Sequence, residues 1–181
     1  MLISKFGGQD IMKKVEGLEK KIGQKLPSQL YDFLIKYNGG QTVNTHFSDN
    51  QVSTDIKGFL GLGEVKYSYD DAEVLSFQDE EYLPIAMSSF GDDIIINLES
   101  GKIFFKNHEN AILEEVAEDL RGFIKNCESE GINPDSLKSV EEREQDLIKR
   151  GYGSIITPEL REMWRAEIDK YSAVKEEEVN I

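Results

Sequence analysis

The chain is poor in most of the residues that carry chemistry. Of its 181 residues, one is cysteine, one is tryptophan, two are histidine and four are proline. A lone thiol at Cys127 cannot form an intramolecular disulfide, which suits a reducing compartment and leaves stability to packing. His46 and His108 lie far apart and neither falls in HExxH or another ligand spacing, so the sequence makes no case for a metal site. A GxSxG elbow, a phosphate loop ending in Gly-Lys-Ser/Thr and a GxGxxG turn are also missing. The cluster of Gly58, Gly61 and Gly63 has a different spacing and no Lys-Ser/Thr after it. No cofactor is therefore expected, and no enzymatic activity. No apolar run is long enough to span a bilayer, and Met1 to Gly8 holds neither an apolar segment nor a small-residue cleavage site, which predicts a cytoplasmic chain.

Positive charge is scarce as well, with 21 basic residues against 35 acidic ones and a net charge of −14. Such a surface repels phosphate backbones and anionic lipids, so neither nucleic acid nor a membrane is the expected partner, and a basic protein fits better. The deficit is local: from Glu64 to Asp93 the only basic residue is Lys66. Acidity that serves solubility alone remains an open alternative.

What is present is periodicity. Ile11, Val15, Leu18 and Ile22 form one helical stripe, with Asp10 placed to cap it. Pro27 stands at a first helical position before Leu30, Phe33, Leu34 and Tyr37, and Asn38-Gly39-Gly40 ends that second helix through left-handed backbone. Thr42 to Phe47 and Ile56 to Leu62 read as strands around the polar loop Ser48-Asp49-Asn50, and Tyr67 to Phe77 as a short surface helix. Tyr82 to Ala86 reads as a strand near a sheet edge because of Pro84. Ile94 to Leu98 and Ile103 to Phe105 form a hairpin across Glu99-Ser100-Gly101, so three strands run as a meander. Val116, Leu120, Phe123 and Cys127 then return to helical spacing. Glu128 to Pro134 reads as a polar linker. Beyond it lie a helix over Ser136–Arg150 and another started by Thr157-Pro158 and carrying Leu160, Trp164, Ile168 and Tyr171. The terminal Lys175 to Glu178 run is expected to fray.

The order helix, Leu26-Pro27, helix, Asn38-Gly39-Gly40, then Tyr82-Leu83-Pro84-Ile85-Ala86, Gly91-Asp92-Asp93, the Ile94-to-Phe105 hairpin and Phe123-Ile124 resembles the SUKH superfamily. This superfamily includes the yeast Smi/Knr cell-wall regulator and many bacterial immunity proteins. The resemblance implies an α+β fold, an antiparallel sheet with helices packed on it. It divides the chain into a SUKH-like domain over 1–127 and a helical C-terminal extension over 128–181. It also implies an immunity protein that binds and neutralises a cognate polymorphic toxin, encoded by a neighbouring gene and of a kind often basic because it attacks nucleic acid. The alternative is an intracellular adaptor without a toxin partner.

The candidate protein-binding patch is acidic: Asp70, Asp71, Glu73, Asp79, Glu80, Glu81, Asp92 and Asp93. Three readings of these carboxylates stand side by side: a solvated face, a surface for a basic partner, or an acid–base or cation site. Trp164 is a secondary candidate, either docked on the domain with Leu160 and Ile168 or exposed as an anchor. Cys127, on an apolar helical face, is read as core and not as a nucleophile.

Overall fold

The computed structural model describes residues 1–71, 81–133 and 136–181. They group into two units, Met1–Gly131 together with Glu176–Ile181, and Ile132–Lys175.

The first unit opens with strand β1 (Leu2–Lys5), helix α1 (Ile11–Ile22) and helix α2 (Ser28–Tyr37). Both expected helices form, with Val15 and Leu18 of α1 and Leu30, Phe33, Leu34 and Tyr37 of α2 buried. Their ends differ from expectation. Asp10 sits in left-handed backbone and its side chain caps nothing, while Pro27, with ψ at 140°, stands just before the first helical residue. The turn between the helices is pinned by Glu19, whose buried carboxylate accepts from Leu26 N at 3.1 Å and from Lys25 Nζ at 2.6 Å. Asn38 ends α2 in the left-handed region, and its side chain is a three-way tie. It donates to Gly7 O at 2.6 Å and Leu62 O at 3.0 Å, and accepts from Leu62 N at 2.8 Å. Gly39 follows with φ at +72°, its α-carbon against the Phe59 and Leu60 carbonyls, where any side chain meets backbone.

The sheet is antiparallel throughout. Its strands are β2 (Gly40–Ser48), β3 (Ser53–Phe59), β4 (Tyr82–Ser88), β5 (Asp93–Asn97), β6 (Ile103–Lys106), β7 (Leu113–Ala117), β8 (Cys127–Ser129) and β9 (Glu177–Glu178). The order is β7-β6-β5-β4-β3-β2-β1-β9. The far edge of β2 is shared, its start by β1 and its end by β8. The expected meander of β4, β5 and β6 is there, and β7 extends it. Asn97 closes the β5–β6 turn by accepting from Glu99 N, Ser100 N and Ser100 Oγ, with Gly101 in left-handed backbone.

One face of the sheet carries the core. Leu83, Ile94, Ile96, Ile103 and Phe105 pack there with the stripes of α1 and α2 and with helix α3 (Leu120–Lys125). At its centre Phe33 lies 5.1 Å from Phe59, and Phe47 stacks on Phe123 at 4.7 Å. Asp119 starts α3 by accepting from Gly122 N at 2.7 Å and holds Gln29 of α2 at 2.9 Å.

Several sequence expectations do not hold. Tyr82–Ser88 is no edge strand but lies between β3 and β5, its Pro84 beside a register shift in the β4–β5 pairing. The helical spacing from Val116 to Cys127 is not one helix but β7, the short α3 and β8. Val116 faces the core from a strand, and the periodicity is a coincidence of buried residues in different elements. Tyr67 to Asp71 is no surface helix: Tyr67 and Tyr69 are buried, and Ser68 forms a bridge with Gly61; the remainder of that expected helix, 72–77, lies outside the described residues. The chain end does not fray. β9 pairs with β1, Val179 is buried, and Asn180 N donates to the Tyr37 hydroxyl at 2.9 Å.

The second unit holds helix α4 (Val140–Lys149), a 3₁₀ turn (Gly153–Ile155) and helix α5 (Pro158–Ser172). Ser139 and Glu142 form a reciprocal capping box on α4, and Thr157 with Pro158 starts α5 as expected. The helices are bridged by Arg143–Glu167 at 2.9 Å and by Arg161–Glu144. No residue of α5 is fully buried, Trp164 being half-buried.

Candidate functional site

The candidate carboxylates fall in different surroundings. Asp70 closes the loop after β3. Its carboxylate accepts from Gly63 N at 3.1 Å and pairs with Lys21 of α1 at 3.3 Å. The loop is anchored by Tyr69, fully buried and donating to Pro84 O at 2.6 Å, and by Tyr67, which fills the space above Gly58. Asp71 and Glu81 are exposed. Glu73, Asp79 and Glu80 lie outside the described residues.

Asp92 is a structural carboxylate. It is 5% exposed and spends its oxygens on Ser88 Oγ at 3.0 Å, His108 N at 3.1 Å and His108 Nδ1 at 2.7 Å. Burial pushes its carboxyl up, but the bonds from His108 and Ser88 outweigh that and leave it below the usual carboxylate range. The same pair raises His108 above its ordinary value. Asp92 thereby ties the β4–β5 turn to the loop between β6 and β7. Asp93, next in sequence, starts β5 on the opposite face, half-buried across from Lys106. Burial raises its carboxyl above the ordinary value, with Lys106 opposing.

Around Asp93 the sheet face turned away from the helices carries a groove of mixed polar and apolar lining. The groove, of about 250 Å³, is lined by Tyr82, Pro84, Asp93, Ile95, Lys106 and Leu113. Tyr82 meets Phe104 edge to face at 5.4 Å on the same face. At the end of the sheet, Phe90 on the β4–β5 turn and Ile112 and Leu113 beyond β6 are exposed. The sequence reading missed these side chains and treated His108 as isolated. The visible signal was an aromatic amid turn formers, Ser88-Ser89-Phe90-Gly91-Asp92.

His46 and Cys127 are the remaining candidates for chemistry. His46 stands between Asp55 (Nδ1 to Oδ1, 2.9 Å) and Ser53 (Nε2 to Oγ, 3.1 Å), the connectivity of a hydrolase triad. All three are exposed on the β2–β3 hairpin, and His46 and Asp55 are direct cross-strand neighbours. Exposure to water denies the serine the desolvated surroundings that nucleophilic catalysis uses, and the trio reads as a cross-strand polar pair. Cys127 is buried on β8, and burial pushes its thiol up to about 12, which makes it core. Among the described residues, no three His, Cys, Asp or Glu side chains gather as metal ligands, and no helix is long and apolar enough to cross a membrane.

The fold and these sites define an α+β domain with three helices on one face of an antiparallel sheet and the buried side chains of Glu19, Asn38 and Asp92 committed to holding loops. The SMI1 / KNR4 family (SUKH-1) matches residues 13–126, more than half of the chain, from α1 to the end of α3, and the chain belongs to that family. It is also 28% identical over 120 residues to the SPbeta prophage-derived uncharacterized protein YokK of Bacillus subtilis (strain 168), covering 54% of this chain. The match spans 62% of that relative's length.

Proposed function

We propose that the chain is an immunity protein, which binds a cognate toxin and blocks it by occupying its surface, without turnover of its own. The observation that carries this reading is membership of the SUKH family, whose bacterial members include toxin antidotes, over residues 13–126. The net charge of −14 supports it, because a strongly acidic inhibitor gains association rate and selectivity against a basic toxin. The prophage origin of the similar Bacillus subtilis protein fits a gene carried for conflict between cells.

The test is to express the protein encoded beside this chain's gene, alone and together with the chain. Arrest of growth by the neighbour alone, relieved by co-expression, with a stoichiometric complex on size exclusion, is the expected result. A complex with a harmless neighbour moves the chain to an adaptor role, and toxicity that co-expression leaves untouched, with no complex, overturns the reading.

A further inference from the structure

We infer that the partner is seated at the end of the sheet where the β4–β5 turn meets the β6–β7 loop, with Phe90 as the apolar anchor and a basic protein surface as the occupant. This rests on the reading that the chain acts by binding a protein, and it moves the expected contact from the acidic run as a whole to one built surface.

Phe90 is 67% exposed, the most exposed large apolar side chain among the described residues, yet its turn is closed by several hydrogen bonds. Ser88 Oγ accepts from Phe90 N at 3.1 Å and Asp92 N at 3.0 Å and donates to Asp92. Ser89 N donates to Asp55 O at 2.8 Å on β3. A loose surface aromatic is unremarkable, but one presented on a turn with three anchors loses little freedom on binding, which is the condition for a binding hot spot. Asp92 then reaches across to His108 and fixes the neighbouring loop, which Asn107 N closes on Ile112 O at 3.2 Å. That loop brings Ile112, 54% exposed, and Leu113, 40% exposed, to the same end of the sheet. The groove beneath, between Tyr82, Pro84, Ile95 and Leu113, extends the apolar area.

The charge selects the occupant. Asp93 borders the groove, Glu109 lies in the loop and Glu114 follows Leu113, with Lys106 and, paired to Glu115, Lys102 the lysines between Phe90 and Leu113. A second copy of the chain brings the same −14 to the contact and is repelled, whereas a basic surface is attracted.

The experiment measures binding of the purified product of the neighbouring gene to the full chain and to Phe90→Ala, Ile112→Ser, Met12→Ala and the double variant Glu109→Lys/Glu114→Lys. Phe90→Ala and Ile112→Ser are each expected to weaken binding at least tenfold with the thermal unfolding curve unchanged, since both side chains are exposed. Met12→Ala, 61% exposed on α1, is expected to bind as the parent does. The charge reversal is expected to slow association several-fold at low salt, with the difference vanishing as salt rises. Parent-like binding by both apolar variants overturns the inference while leaving the immunity reading intact, and a parent that binds nothing sinks both. Sedimentation showing a parental dimer that Phe90→Ala dissociates assigns the surface to a second copy and likewise overturns it.

Discussion

At the scale of single residues, Asp92 shows how little a carboxylate's position in sequence says about its task. It neighbours Asp93 in an acidic stretch, yet it is buried and bonded on three sides, whereas Asp93 edges a groove. Removing the acceptor leaves His108 N without its partner and the Ser88 hydroxyl without its acceptor, so Asp92→Ala is expected to cost about 2 kcal/mol. For a chain of this size that corresponds to a fall in Tm of roughly 4–8 °C. The pH dependence follows from the two shifts. Asp92 titrates below its unfolded value, so its contribution is present above about pH 4 and is lost as pH falls through the folded value. His108 titrates above its unfolded value, so its contribution is full below about pH 6.5 and is lost as pH rises through the folded value. The Tm gap between parent and Asp92→Ala is therefore widest near pH 5.5 and narrows towards both pH 3 and pH 8.5. A gap that is flat from pH 5 to pH 8.5 refutes the pairing.

At the scale of elements, the helices and the β5–β6 hairpin follow from local pattern, while the joints between elements rest on a few polar ties. Asn38 is the clearest, joining the end of α2 to the segment after β1 and to the loop after β3. Asn38→Gly keeps the left-handed backbone that φ of 55° requires and deletes all three bonds, so it isolates their worth. A loss of about 1–3 kcal/mol is expected from chemical denaturation, since Leu62 N is left unpaired in a buried site. No loss means that water or a neighbouring group replaces the side chain at no cost.

At the scale of the whole molecule, the chain leaves its first unit at Gly131 and returns to it at Glu176. These two ends are adjacent: a side-chain atom placed on Gly131 lies 3.4 Å from the Glu176 carboxylate. Replacing residues 132–175 with a short Gly/Ser linker is therefore expected to leave a cooperatively folding domain with β9 still paired to β1. Ending the chain at Gly131 instead strips Val179 from the core and the Asn180 partner from Tyr37, and is expected to cost about 2 kcal/mol relative to the linked form. Both comparisons are read from thermal melts, and a linked form without a cooperative transition refutes the independence of the first unit.

The sequence by itself determined α1, α2, the β5–β6 hairpin and the start of α5, because each is specified by neighbours within a few positions: a stripe at helical spacing, Asn38-Gly39, Glu99-Ser100-Gly101, Thr157-Pro158. It also marked the family, since those local signals occur in a characteristic order. Only the tertiary structure decided that Val116, Phe123 and Cys127 belong to three different elements, and that Glu177–Glu178 is a strand against β1. A strand is specified by the partner it pairs with, and those partners lie elsewhere in the chain. The same holds for the candidate surface. An acidic run is readable as composition, but burial and bonding sort its carboxylates. Asp92 becomes a fastener, Asp70 a loop clasp beside Lys21, and the exposed side chains of Phe90 and Ile112 come to one end of the sheet because alternate connections of an antiparallel meander fall there, where Asp92 ties the two loops through His108.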